Sequence, residues 1–174
     1  LASTSPSSHP VLRTAILYGF LTGALCIAWV LFLHLTDNNA YGPKRTLSDF
    51  FPPVAAVISQ ILLRRYYANG PGLGKSIGVG LLTTLVGASV AAVGLYTFSQ
   101  LTGPAPIEQH LAEARQLLTN AQAFYLKQPN GRQQYEAALR DLARTPAAFA
   151  QDELFKKMIF GVLLSIPGGV FLRK

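Results

Sequence analysis

Charge is scarce in this sequence and cysteine nearly absent: 13% of its 174 residues are charged, and Cys26 is the only thiol. A lone cysteine excludes an intrachain disulfide, and Cys26, set inside an apolar block, reads as a small buried apolar residue. No run of Lys and Arg is interleaved with aromatics on a polar domain. The net charge of +7 therefore does not point to nucleic acid, and membrane lipids, anionic headgroups among them, are the better partner. Constellations that would name a reaction are missing as well. Asn69-Gly70-Pro71-Gly72-Leu73-Gly74-Lys75-Ser76 ends like a phosphate-binding loop, but Asn stands where its first glycine belongs and no strand precedes it. His110 and Glu113 share a helix face at metal-ligand spacing, with no second pair to complete a site. No metal, cofactor or enzymatic activity is expected. His34, near Asp37 and Asp49, leaves only a minor reading as an interfacial catalytic or pH-sensing group.

What the chain does contain is apolar residues, half of all positions, concentrated in blocks greasy on every face. That pattern requires apolar surroundings, and a bilayer supplies them. Thr14 to Leu33 runs without a charge, with Arg13 before it and Trp29 and His34 near its end. At 1.5 Å per residue it spans about 30 Å, one hydrocarbon core. Its length and the lack of a small-x-small site favour a membrane span over a cleaved signal. Leu47 to Leu63 is shorter, with Pro52-Pro53 in its first turn, where the missing N–H has no intrahelical role. Arg64-Arg65-Tyr66-Tyr67 follow it as an interfacial anchor. Ser76 to Leu101 is the longest block, and Met158 to Leu172 the last, with Lys156-Lys157 and Arg173-Lys174 placed to snorkel at its two ends. None of the blocks carries an ionisable residue near its middle, which argues against a proton pump or an intramembrane protease.

Gly80, Thr84, Gly87, Ala91 and Gly94 recur at four- and three-residue spacing and form one stripe of small residues. Such stripes let helix backbones approach, with Gly19 and Gly23 of the first block as a mate, either within the chain or between copies. Pro167-Gly168-Gly169 should bend the last span, because proline removes an intrahelical hydrogen bond and leaves a carbonyl in need of a partner. Between the third and fourth spans the sequence turns polar. Ile107, Leu111, Ala114, Leu118, Ala121 and Tyr125 make an amphipathic helix, Pro129-Asn130-Gly131 a turn, and Tyr135, Leu139 and Leu142 the face of a second helix. Thr145-Pro146 then reads as an N-cap and first-position proline of a helix that runs into the last span.

The expected fold is all-α, an integral membrane protein of four transmembrane helices with an extramembrane helical hairpin between the third and fourth. Its parts are a disordered tail over 1–11, three spans over 12–101, the helical excursion over 102–153, and the fourth span with a basic C-terminus over 154–174. Both termini and the loop between spans two and three share a face bearing Arg13, Arg64, Arg65, Lys75, Arg173 and Lys174. These are expected lipid-headgroup anchors, and the absence of acids beside them places that face in the cytoplasm.

An early Tyr18-Gly19, the basic Arg64-Arg65 end of span two, Gly72-Leu73-Gly74-Lys75-Ser76 opening a long third span, a polar helical excursion and a proline-containing last span ending Leu172-Arg173-Lys174 together resemble an uncharacterised family. It is a domain-of-unknown-function family of small four-span proteins found mainly in Bacteroidetes. The resemblance implies a bacterial inner-membrane location and brings no activity with it. The residues favour a non-catalytic accessory or scaffold subunit acting through helix contacts and its hairpin, with a homo-oligomer or membrane-protein partner. A small oligomeric transporter or channel is the alternative.

Overall fold

In the computed structural model, which describes residues 9–142 and 145–174, the chain is helix and connecting turns, with no strand among the described residues. Six α-helices follow one another: α1 (Pro10–Leu35), α2 (Phe51–Leu63), α3 (Leu73–Thr102), α4 (Ala105–Tyr125), α5 (Gly131–Arg140) and α6 (Pro146–Phe171). Helix α2 is preceded by a 3-10 stretch, Pro43–Phe50, and followed by a 3-10 turn, Arg64–Tyr66. These additions lengthen the second span well beyond its apolar sequence, so four helical segments are long and apolar enough to cross a bilayer.

The bundle is built around α3, which packs on α1, α2 and α6, with α1 and α6 on opposite flanks of the α2–α3 pair. Small residues fill the interior: Ala15, Ala56, Ala88, Ala91, Thr83 and Thr84 are buried, whereas Phe20, Leu21, Phe32, Val93, Phe155, Ile159 and Leu163 point outward. That inversion is what lipid as solvent dictates. Hydrocarbon is as apolar as leucine, so nothing drives large side chains inward, and helices gain instead from close backbone contact. The chain is an integral, multi-pass membrane protein.

The stripe on α3 is used inside the chain and divides among three neighbours, α1, α2 and α6. A Cβ on Gly19 or Gly23 would fall within 2.6 Å of Val86 or 2.5 Å of Val90 of α3, and Gly87 packs on the Gly19 carbonyl. Gly94 seats Ile27 of α1. Further along, Gly80 turns to Gln60 of α2 and Ser165 of α6, and Thr84 fills the notch at Gly161 of α6. Helix α6 continues unbroken through Pro167 to Phe171. Gln60 Nε2 donates to the Ser165 carbonyl at 2.7 Å, and Gly168 and Gly169 make room for Gln60 and for Ile77. The glycines expected to loosen this helix serve close packing.

Outside the bilayer, α4 and α5 form the expected hairpin on the predicted faces, with the Tyr125 and Tyr135 rings 5.9 Å apart. Thr145 caps α6 by accepting from the Ala148 N–H at 3.2 Å, and α6 then runs without interruption into the membrane. The division at 153/154 therefore falls inside one helix. His9, Pro10 and Val11, assigned to a disordered tail, cap and open α1, while residues 1–8 of that tail lie outside the described residues, as do 143 and 144, where the second helix of the hairpin is expected to end. At the foot of the hairpin Ile107 joins Val30, Leu33, Tyr41, Leu95, Phe98 and Phe149 in a conventional apolar core at this end of the bundle.

Candidate functional site

Helix α6 carries buried charge just ahead of its apolar block, inside the bundle and not at a snorkelling position. Because α6 starts at Pro146, Lys157 lies three turns along it, and it is 0% exposed. It does not snorkel. Its ammonium donates to Asp49 Oδ1 and Ser48 Oγ, each at 2.9 Å, and forms an ion pair with Glu153 Oε1 at 2.8 Å. Arg45 extends the network, with Nη1 3.0 Å from Glu153 Oε2 and Nη2 3.2 Å from Asp152 Oδ2. Lys156 reaches the same Asp152 oxygen at 2.8 Å. Arg45, Asp49 and Glu153 are all buried.

The depth of this network follows from its neighbour. Cys26 Sγ approaches the Ser48 carbonyl at 3.7 Å, and Cys26 stands about 13 Å before the end of α1 at the helical rise per residue. Lys157 likewise lies about 21 Å from the far end of α6, well within a hydrocarbon core of about 30 Å. Charge at such depth is retained only if paired, and here the cations Arg45, Lys156 and Lys157 meet the anions Asp49, Asp152 and Glu153. The network ties the 3-10 stretch before α2 to α6. Two sequence signals could have exposed it. The helix predicted from Thr145 already carried Lys157 past the interface, and Asp152–Lys156 and Glu153–Lys157 are i,i+4 pairs.

Above the network, a cavity of about 760 Å³ opens between the hairpin and the bundle, with Arg45, Asp152 and Lys156 on its floor and Leu117, Leu118 and Phe155 among its walls. His110 and Glu113 stand at its edge, turned toward Asn39, whose Nδ2 is 3.3 Å from His110 Nδ1 and 2.6 Å from Glu113 Oε2. Hydrogen bonds from Asn39 and Gln109 hold the Glu113 carboxyl below its ordinary range, while burial, helped by the Arg45 charge, lowers His110. Among the described residues no group of three or more His, Cys, Asp or Glu is arranged to hold a metal. His34 is not gathered with Asp49. It meets the Phe98 ring edge-on at 5.2 Å and borders a separate cavity with Asp37, while Asp49 belongs to Lys157.

A second polar cluster lies deeper. Thr83 Oγ1 donates to the Val79 carbonyl at 2.7 Å and approaches Ser59 Oγ at 3.0 Å. Gln60 Oε1, Ser165 Oγ, Thr84 Oγ1 and Ser76 Oγ are buried with no hydrogen-bond partner. At the opposite end of the bundle, Arg13, Arg64, Arg65, Lys75, Arg173 and Lys174 collect on one face, as expected. The Gly72 N–H donates to the Arg173 carbonyl at 3.0 Å, which joins the α2–α3 loop to the end of α6.

Four closely packed spans, three of them bearing glycines, with a paired charge network and an extramembrane hairpin define a small multi-pass helical membrane protein. Residues 17–174 match the family described as "Protein of unknown function (DUF4199)", and the chain belongs to it. No curated protein and no solved structure matches the chain.

Proposed function

We propose that the chain is a non-catalytic accessory or scaffold subunit of the bacterial inner membrane, docking a protein partner or a second copy of itself through the α4–α5 hairpin. The observation that carries this reading is how little the hairpin covers itself. In α4 only Ile107 is buried, in α5 only Gly131, and Leu117, Phe124 and Leu126 are 62%, 65% and 55% exposed outside the bilayer. A hairpin this small cannot build its own core, and apolar surface facing water marks a contact site. The small-residue stripe, by contrast, is spent within the bundle, so helix contacts between copies would need another face. Extraction in mild detergent followed by quantitative mass spectrometry should recover a partner or oligomer at fixed stoichiometry, and L117E/F124E should lose it while remaining monodisperse. A lone monomer in several mild detergents, or recovery indifferent to these changes, overturns the reading.

The second reading, a small transporter or channel, is favoured by Lys157, Asp49 and Glu153 at bilayer depth, where ionisable groups are costly and usually serve passage. The unpartnered oxygens of Thr84, Ser165, Gln60 and Ser76 continue the polar track beyond them. Reconstituted protein should then move a solute or current at a rate that P167A alters. Liposomes silent across a broad panel of solutes dismiss it.

A further inference from the structure

The face opposite the hairpin carries cations that nothing in the chain neutralises. All eight acidic residues of the sequence lie elsewhere, and among the described residues none of Arg13, Arg64, Arg65, Lys75, Arg173 or Lys174 takes part in an ion pair. Ordinarily such side chains are separate, solvated anchors. Here two distant segments converge instead. Arg64 and Arg65, in the turn that ends α2, and Lys174, beyond α6, line a single cavity of about 350 Å³ with Tyr67, Asn69 and Gly70. Lys75 stands beside it, its ammonium 4.3 Å from the centre of the Tyr67 ring.

The two sides of this open cavity are held together by a backbone contact only glycine permits. Gly70 has φ +82°, and a Cβ there would come within 2.7 Å of the Arg173 carbonyl oxygen and of Lys174 backbone atoms. Together with the Gly72 to Arg173 hydrogen bond, this contact holds Lys174 against the arginine turn. We propose that this pocket is a discrete binding site for the phosphate of an anionic phospholipid. Arginines and a lysine around a cavity of this size suit a phosphodiester, and basic pockets beside membrane helices take such headgroups. The exposed Ile61 and Leu73 flank the turn in sequence, so acyl chains have an apolar surface leading away from it. The inference rests on the membrane-spanning fold and is independent of what the hairpin binds.

The test compares nanodiscs of phosphatidylcholine with nanodiscs of phosphatidylcholine and phosphatidylglycerol, reading the phosphatidylglycerol retained on the purified full chain by native mass spectrometry. A direct charged hydrogen bond to the bound phosphate is worth at least about ten-fold in affinity, so R64Q should cut retention about ten-fold or more and R64Q/R65Q about 100-fold. R13Q, which removes the same charge from the same face outside the pocket, should change nothing. G70V keeps every charge but displaces the end of α6 and should also lose the lipid. Should G70V not be monodisperse, K174Q takes its place. Equal losses in R13Q and R64Q would mean diffuse attraction and overturn the proposal, as would wild-type retention in G70V or in K174Q, or no preference for phosphatidylglycerol. Displacement of the lipid by inorganic phosphate at comparable concentration would overturn the lipid assignment and give the site to a soluble phosphate ester.

Discussion

Lys157 shows how a single side chain fixes the relation between two helices in lipid. Its ammonium donates to two acceptors on the segment before α2 and pairs with the Glu153 carboxylate on its own helix, so removing a charged partner leaves charge stranded in a low-dielectric interior. Breaking a buried pair from one side typically costs about 3–5 kcal/mol, while replacing both members by apolar groups costs far less. Asp49→Leu and Lys157→Met alone should therefore each lower the melting temperature of the detergent-solubilised protein strongly. The double variant should be more stable than the sum of the two losses implies, although Glu153, still held by Arg45, keeps the compensation partial. A strictly additive double variant would show that the contact contributes no coupling. Gln60 plays a comparable part without charge. Clamped between Gly80 and Gly168, it ties α2 to α6 by donating to the Ser165 carbonyl.

At the scale of the helices, α4 depends on a small polar clasp at its foot. Asn39 holds Glu113 and His110, and both groups have folded-state proton affinities below their ordinary values. For each the unfolded or undocked form binds protons more readily, so docking stability is fully present above the ordinary value and falls as pH drops through the depressed one. His110 weakens the clasp first, below its ordinary value of 6.5, and Glu113 follows below 4.5. Hydrogen exchange corrected for its intrinsic pH dependence should rise across the first turns of α4 on acidification. It should rise less in H110N, and exchange in α3 should stay unchanged; a flat response at α4 would contradict the clasp. This clasp was only half legible in the sequence. The helix bearing His110 and Glu113 followed from apolar spacing, as did the Thr145 cap and the hairpin faces, because local periodicity reports local structure. Asn39 is 71 residues from His110, and no local pattern announces such a pairing. The charge network escaped for a related reason. Hydropathy ends a span where charges begin, yet a paired charge can sit inside one, and that pairing becomes visible only once the 3-10 stretch before α2 is laid against α6.

For the whole molecule, the distribution of charge across the bilayer is the strongest asymmetry. Every acid lies in the hairpin-side half, and the opposite face has cations alone. Short loops rich in Lys and Arg stay in the cytoplasm, and long polar excursions count for less in that bias. The α2–α3 loop, joined to the end of α6 by the Gly72 to Arg173 bond, should accordingly face the cytoplasm, with the α4–α5 hairpin on the far side. Cys26 makes this straightforward to measure, since the chain's one thiol is 1% exposed. In intact cells it should resist a membrane-impermeant maleimide. Gln128→Cys at the hairpin tip should label from outside once the outer membrane is permeabilised, whereas Ala68→Cys in the α2–α3 loop should label only after the inner membrane is broken. Labelling of both from the same side would contradict the four-span topology. The reverse pattern would keep the fold and invert the protein, moving the basic pocket, and the lipid proposed for it, to the outer leaflet.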